Sequence, residues 1–164
     1  MNDKQPARTL PSDIPSMLLA VEGRQLLLPG VAVAEIIHYT PPDTLADSPD
    51  WFIGTLEWRT LHIPLISYDR LAGNQGRATY RHVIVLNSAG TNEQLPFTAS
   101  PILCIPRLIR LTQKDAVQDS DATLSPVDLA AITLPSGDTV YIPDIAAIEI
   151  ICATFYTCPE AATP

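Results

Sequence analysis

Glycine is scarce in this chain, with seven residues against sixteen prolines in 164. Neither GxxxxGK nor GxGxxG occurs, so the backbone cradles that bind nucleotide phosphates are missing. Basic residues are also few, ten Lys and Arg against eighteen Asp and Glu, for a formal net charge of −8. A nucleic-acid binder shows a dense basic patch, and the nearest approach is Arg107, Arg110 and Lys114, which Asp115, Asp119 and Asp121 follow at once. Cysteine is limited to Cys104, Cys152 and Cys158, with no CxxC, which argues against a disulfide framework or a zinc knuckle. Cys104 and Cys152 lie in apolar runs, where a free thiol behaves as a small hydrophobe, and a reducing, cytoplasmic compartment is expected. No apolar run reaches membrane-spanning length, and the N-terminus carries no long apolar targeting segment. Charged residues make up only 17% against 46% hydrophobic, which excludes global disorder and leaves ample material for a core.

Proline is what the chain has in quantity, and it cuts the sequence into short segments better suited to strands and turns than to a helical bundle. Residues 1–15 read as a flexible leader, 16–155 as one folded unit and 156–164 as a short tail. Apolar stretches at 16–21 and 25–28 flank Glu22-Gly23-Arg24 and predict a hairpin. Val33, Ile36 and Ile37 fall at i, i+3 and i+4, favouring one or two helical turns over 31–38, although so short a run also suits a strand. Residues 39–50 are a proline- and aspartate-rich loop, 51–66 a second hairpin, and Ser67 or Asp69 caps a short helical turn that stops at Gly73. Strands are predicted at 80–86, 95–105 and 107–111, and then an acidic loop over 113–123. Apolar residues 127–134, a turn at Pro135-Ser136-Gly137-Asp138 and a strand at 139–143 follow. Asp144 then caps a helix with Ile145, Ile148, Ile151 and Cys152 on one face.

The chain is organised around residues 51–71, which contain both tryptophans and a Glu57-Trp58-Arg59-Thr60 corner. Its Thr60-Leu61-His62-Ile63-Pro64 echoes Thr139-Val140-Tyr141-Ile142-Pro143, and each leads to a short helical segment, as two similar β lobes would require. Alternation places Trp58 with Leu56 in a core, and Trp51 reads as structural. Catalytic constellations are not evident. There is no Gly-x-Ser-x-Gly, and His38, His62 and His82 lie far apart in sequence. His62 and His82 could meet across neighbouring strands to hold a metal with a carboxylate, but strand histidines are more often sheet-face residues. Glu57 with Asp69 could form a carboxylate pair, against the commoner case of solvated loop acids. An all-β chain of short strands without such chemistry more often presents an edge, a groove or a loop to another protein.

The order of features resembles the CheW-like domain of the chemotaxis coupling proteins. Its pattern, roughly P-x-W-(aliphatic)-x-G-x-x-N-x-R-G-x-(aliphatic)-x-P-(aliphatic)-x-D-L, is met at Pro49, Trp51, Gly54, Arg59, Ile63, Pro64 and Leu65. The resemblance implies two five-stranded SH3-like β-barrel lobes on a shared core, with a few short helices, no catalysis and no cofactor. It implies an adaptor between the cytoplasmic tip of a methyl-accepting chemoreceptor and the regulatory domain of a CheA-type histidine kinase. Partner contacts are then expected at Arg59, Glu57 and Thr60, and at Ile105 and Arg107 beside the groove between lobes. The Pro-Arg-Leu-Ile-Arg run at 106–110 is similar to the ChpC-like branch of type IV pilus (twitching) systems. The chain leaves the pattern at Glu57 and Thr60, where Asn and Gly are usual. Thr60 is β-branched and ill suited to positive φ, so a longer or differently shaped corner is expected. Arg59 could alternatively form an internal bridge to Glu57 or Asp69. The alternatives to the adaptor are an SH3-like peptide-binding module outside chemotaxis and a β-barrel hydrolase or metal enzyme.

Overall fold

The computed structural model describes residues 13–75 and 77–157. Eleven strands and two short α-helices follow in order, with β1 at Ile14–Val21, β2 at Arg24–Pro29 and β3 at Val33–His38. Next come β4 at Phe52–Trp58, β5 at Leu61–Ile66, α1 at Tyr68–Leu71, β6 at His82–Asn87 and β7 at Phe97–Ile102. The chain ends in β8 at Arg107–Leu111, β9 at Val117–Gln118, β10 at Asp128–Thr133, β11 at Thr139–Pro143 and α2 at Ile145–Ala153. Two sheets result, ordered β8-β1-β2-β11-β10-β9 and β3-β6-β7-β5-β4.

These orders superimpose topologically. In each sheet a central antiparallel hairpin, β1–β2 or β6–β7, carries an antiparallel strand on one side and a second hairpin joined in parallel on the other. The two halves of the chain interlock, because each gives its first hairpin to one lobe and its remaining strands to the other. The echo at 60–64 and 139–143 falls in the corresponding strands β5 and β11. Ser67 caps α1 and Asp144 caps α2, so the caps equate Ile66 with Pro143 and leave the sequence match two residues out of step. Asp69 is not the cap; it is buried inside α1.

Burial explains which apolar runs alternate and which do not. Leu18 and Leu27 lie opposite one another and face the interior of the six-stranded lobe, while Leu19 and Leu26 face the core between the lobes. Val83 and Val85 of β6 likewise face into their own lobe, and Ile84 and Leu86 face the interlobe core. The central hairpins are thus covered on both faces, the condition under which strands read as continuous hydrophobic runs. Ile148 and Cys152 of α2 join the interlobe core, and burial beside Glu149 pushes the Cys152 thiol up to about 12. Tyr156, at the start of the segment read as a tail, is buried there too and donates to the His62 carbonyl at 3.2 Å. Cys158 and residues 1–12 of the leader lie outside the described residues, and β1 already begins at Ile14.

Residues 33–38 are a strand, not a helix, after a single 3-10 turn at Gly30–Ala32. Ile36 pairs with Ile84 and Ile37 with Val83, so side chains on both faces of β3 find partners, and pairing overrides a local helical spacing. The acidic loop over 113–123 contains β9, which pairs with β10 at Thr133 and Ile132. β9 brings this sheet to six strands, and the corresponding chain in the other lobe makes only a bridge between Asp43 and Thr55 of β4. Both exchanges there are hydrogen bonded, Asp43 N to Thr55 O at 3.0 Å and Thr55 N to Asp43 O at 2.8 Å. Gly54 permits this crossing, since a Cβ at that position would sit 2.5 Å from the Asp43 carbonyl oxygen.

Candidate functional site

The corner at 57–60 is a tight two-residue turn. Trp58 pairs with Leu61, and the residues between them, Arg59 and Thr60, have φ of 47° and 66°. Positive φ at both central positions is the geometry whose twist matches that of a β-hairpin. The expected longer corner is therefore corrected: the register set by Leu56 opposite Ile63 and Trp58 opposite Leu61 overrides the poor turn propensity of threonine. Thr60 is held in a region that disfavours a β-branched residue by roughly 1–2 kcal/mol.

This turn presents Arg59 outward in a defined pose. Its guanidinium lies 4.7 Å above the Trp58 ring, and its Nη2 is 3.0 Å from Glu35 Oε2. The partner is thus Glu35 of β3, not Glu57 or Asp69. The same carboxylate oxygen accepts the Trp58 indole N–H at 2.8 Å. Trp58 itself is buried, with its ring edge-on to Phe97 at 4.8 Å. Arg59 keeps 67% of its side-chain surface exposed, so a fixed cation is offered to solvent. Glu57, beside it, is exposed opposite His62. The Glu57–Asp69 pairing does not form: Asp69 is buried on α1, accepts from the Tyr80 hydroxyl, and has its carboxyl raised by burial. His82 lies opposite His38, not His62.

Ile105 and Arg107 occupy a different place. Ile105 sits on the connection by which β7 of one lobe reaches β8 of the other, and Arg107 opens β8, opposite Leu18. Ile105 and Leu108 are each 65% exposed, and Val31, on the reverse crossing between β2 and β3, is 86% exposed. The predicted residues therefore form two groups, a hairpin corner and the crossing from β7 to β8, and not one site.

Sequence reasoning missed several buried polar ties. Arg24 of β2, stacked 4.1 Å over Tyr141, pairs with Asp128 of β10 at 2.7 Å. Asp128 also accepts from the Tyr68 hydroxyl on α1 and from Ser125 N at 2.7 Å, so one carboxylate joins two strands of the six-stranded sheet to α1. Glu149 of α2, fully buried, accepts from Ala89 N at 2.7 Å and from the Thr91 hydroxyl at 2.5 Å. Glu149 had a signal: its spacing from Ile145 and Cys152 places it on the apolar face of α2. Glu35 and the Arg24–Asp128 pair had none, because Trp58 is 23 residues from Glu35, and Asp128 is 104 from Arg24 and 60 from Tyr68.

No described helix is long and apolar enough to cross a membrane. A family model described as the CheW-like domain matches residues 15–149. No curated protein matches the sequence. Among solved structures, the scaffolding protein TtCheW from Thermoanaerobacter tengcongensis shares the fold with a TM-score of 0.67 at 12% identity, over 79% of this chain and 88% of that one. Interlocked β-lobes, a tight hairpin corner and a match over most of the described residues lead to one assignment: the chain belongs to the CheW-like domain family.

Proposed function

We propose that this protein is a non-catalytic chemosensory adaptor that couples the cytoplasmic tips of methyl-accepting receptors to the regulatory domain of a CheA-type histidine kinase. Membership of the CheW-like family supports the adaptor class. The observation that carries the finer reading is the posture of Arg59, stacked on a buried tryptophan, aimed by Glu35 and still two-thirds exposed. A guanidinium held this way loses little freedom on engaging a partner carboxylate or carbonyl. The exposed Ile105 and Leu108 supply apolar contact area at the crossing from β7 to β8, which suits a receptor helix. Arg107 beside them favours an acidic partner. The run at 106–110 supports a place in a type IV pilus (twitching) system, which adjacent genes for pilus motility would test.

The deciding experiment is Arg59→Ala, assayed by pull-down of receptor tips and of the kinase regulatory domain. Because the Arg59–Glu35 pair is exposed, its loss costs at most about 1 kcal/mol of stability. The expected result is a binding loss of tenfold or more with a melting temperature close to the parent. Unfolding without a separable binding defect would make Arg59 structural, and full binding by a folded variant would remove the corner from the interface.

A further inference from the structure

β3 and β6 bring two histidines together. His38 and His82 lie directly opposite in the antiparallel register, with ring centroids 5.4 Å apart and planes inclined by 35°. Opposed residues of such a pair project from the same face of a sheet. His38 is exposed at the end of edge strand β3, and His82 is half-buried beneath it. The Nδ1 of His82 is buried and has no hydrogen-bond partner. A buried ring nitrogen without a partner is uncommon, and an imidazole nitrogen in its unprotonated form is a ligand for late transition metals.

We propose that His38 and His82 form a two-histidine site for a late first-row divalent ion, Cu2+ most tightly, with Ni2+ and Zn2+ weaker. Metal–nitrogen bonds of about 2.0–2.1 Å require the two donor nitrogens to stand roughly 3 Å apart. Small side-chain rotations of rings at 5.4 Å reach that geometry without moving the strands. Among the described residues, no group of three or more His, Cys, Asp or Glu side chains converges on one point. The protein therefore supplies two imidazoles and solvent completes the coordination, which differs from the four protein ligands of a structural zinc site. For two nitrogens and water the order of affinities peaks at Cu2+. The bound ion would clamp edge strand β3, which also carries Glu35, to its neighbour β6.

The test is a Cu2+ titration of the untagged full chain against a competing chelator, with electron paramagnetic resonance of the loaded protein. One equivalent of Cu2+ with hyperfine structure from two nitrogens is expected. His38→Ala or His82→Ala should each weaken binding tenfold or more, whereas His62→Ala leaves it unchanged. Since His38 is exposed, His38→Ala is the variant that should keep its fold. Cu2+ should also raise the melting temperature of the parent and of His62→Ala, but not of His38→Ala. The proposal is overturned by a folded parent that takes up no Cu2+, by binding that survives both substitutions, or by an equal loss in His62→Ala.

Discussion

Trp58 donates its indole N–H to Glu35 at 2.8 Å and thereby ties β4 to β3, the two end strands of the five-stranded sheet. Sheet edges left open invite pairing with other chains, and this lobe guards its edges with the Trp58 and Arg59 contacts to Glu35 and the Asp43–Thr55 bridge. Trp58 thus serves as the packed floor under Arg59 and as the latch of the lobe. Trp58→Phe removes the bond and trims the buried indole to a single ring, so a loss of about 1–3 kcal/mol is expected. Trp58→Ala opens a cavity and should cost about 3–5 kcal/mol. Urea unfolding of both variants checks the pair. Equal losses would show that the indole N–H and its second ring, not the aromatic ring that Phe retains, carry the stability.

Thr60 is strained by the turn it occupies. Relief of about 1–2 kcal/mol from the left-handed region, less about 0.5–1 kcal/mol for the greater unfolded freedom of glycine, leaves a net gain for Thr60→Gly. The variant should be more stable by about 0.5–1 kcal/mol, read as a higher melting temperature. Thr60→Asn, which tolerates positive φ while retaining a side chain, should gain at least as much. If neither gains, the Thr60 side chain contributes contacts that offset its strain.

Where sequence and structure agree, and where they part, follows from the range of the interactions. The β1–β2 hairpin was legible because its apolar flanks and Gly23 at φ 81° are local facts. The caps Ser67 and Asp144 were legible for the same reason, each accepting from the amide three residues on. Residues 33–38 are ambiguous between helix and strand locally, and their strand state is settled by β6, 44 to 53 residues later. The corner was misjudged because a preference intrinsic to Thr60 lost to a register fixed by Leu56, Ile63 and the interior of the lobe. The pose of Arg59 was beyond reach without Glu35, whose side chain meets the corner only when the lobe closes. A family pattern located Arg59, but only folding shows what aims it.

Asp128 makes stability depend on pH. Burial pushes its carboxyl up, but hydrogen bonds from Tyr68, Ser125 and Arg24 outweigh burial and hold it below the ordinary carboxylate value. A depressed carboxylate contributes stability that is present in full above its unfolded value of about 3.9 and is lost as pH falls through the lower folded value. Asp69 acts in the opposite sense. Its carboxyl is raised by burial, so protonation favours the folded form as pH falls toward about 4. The net expectation is a stability curve that holds or rises slightly down to about pH 4 and then drops. Asp128→Asn strands the largely buried Arg24 guanidinium and should cost about 3–5 kcal/mol near pH 7. Below about pH 4 the parent loses the same ionised group, so its advantage over the variant should shrink. Urea midpoints for the two proteins across the acid range measure that gap directly, and a gap that stays constant with pH would mean Asp128 is not the group that titrates.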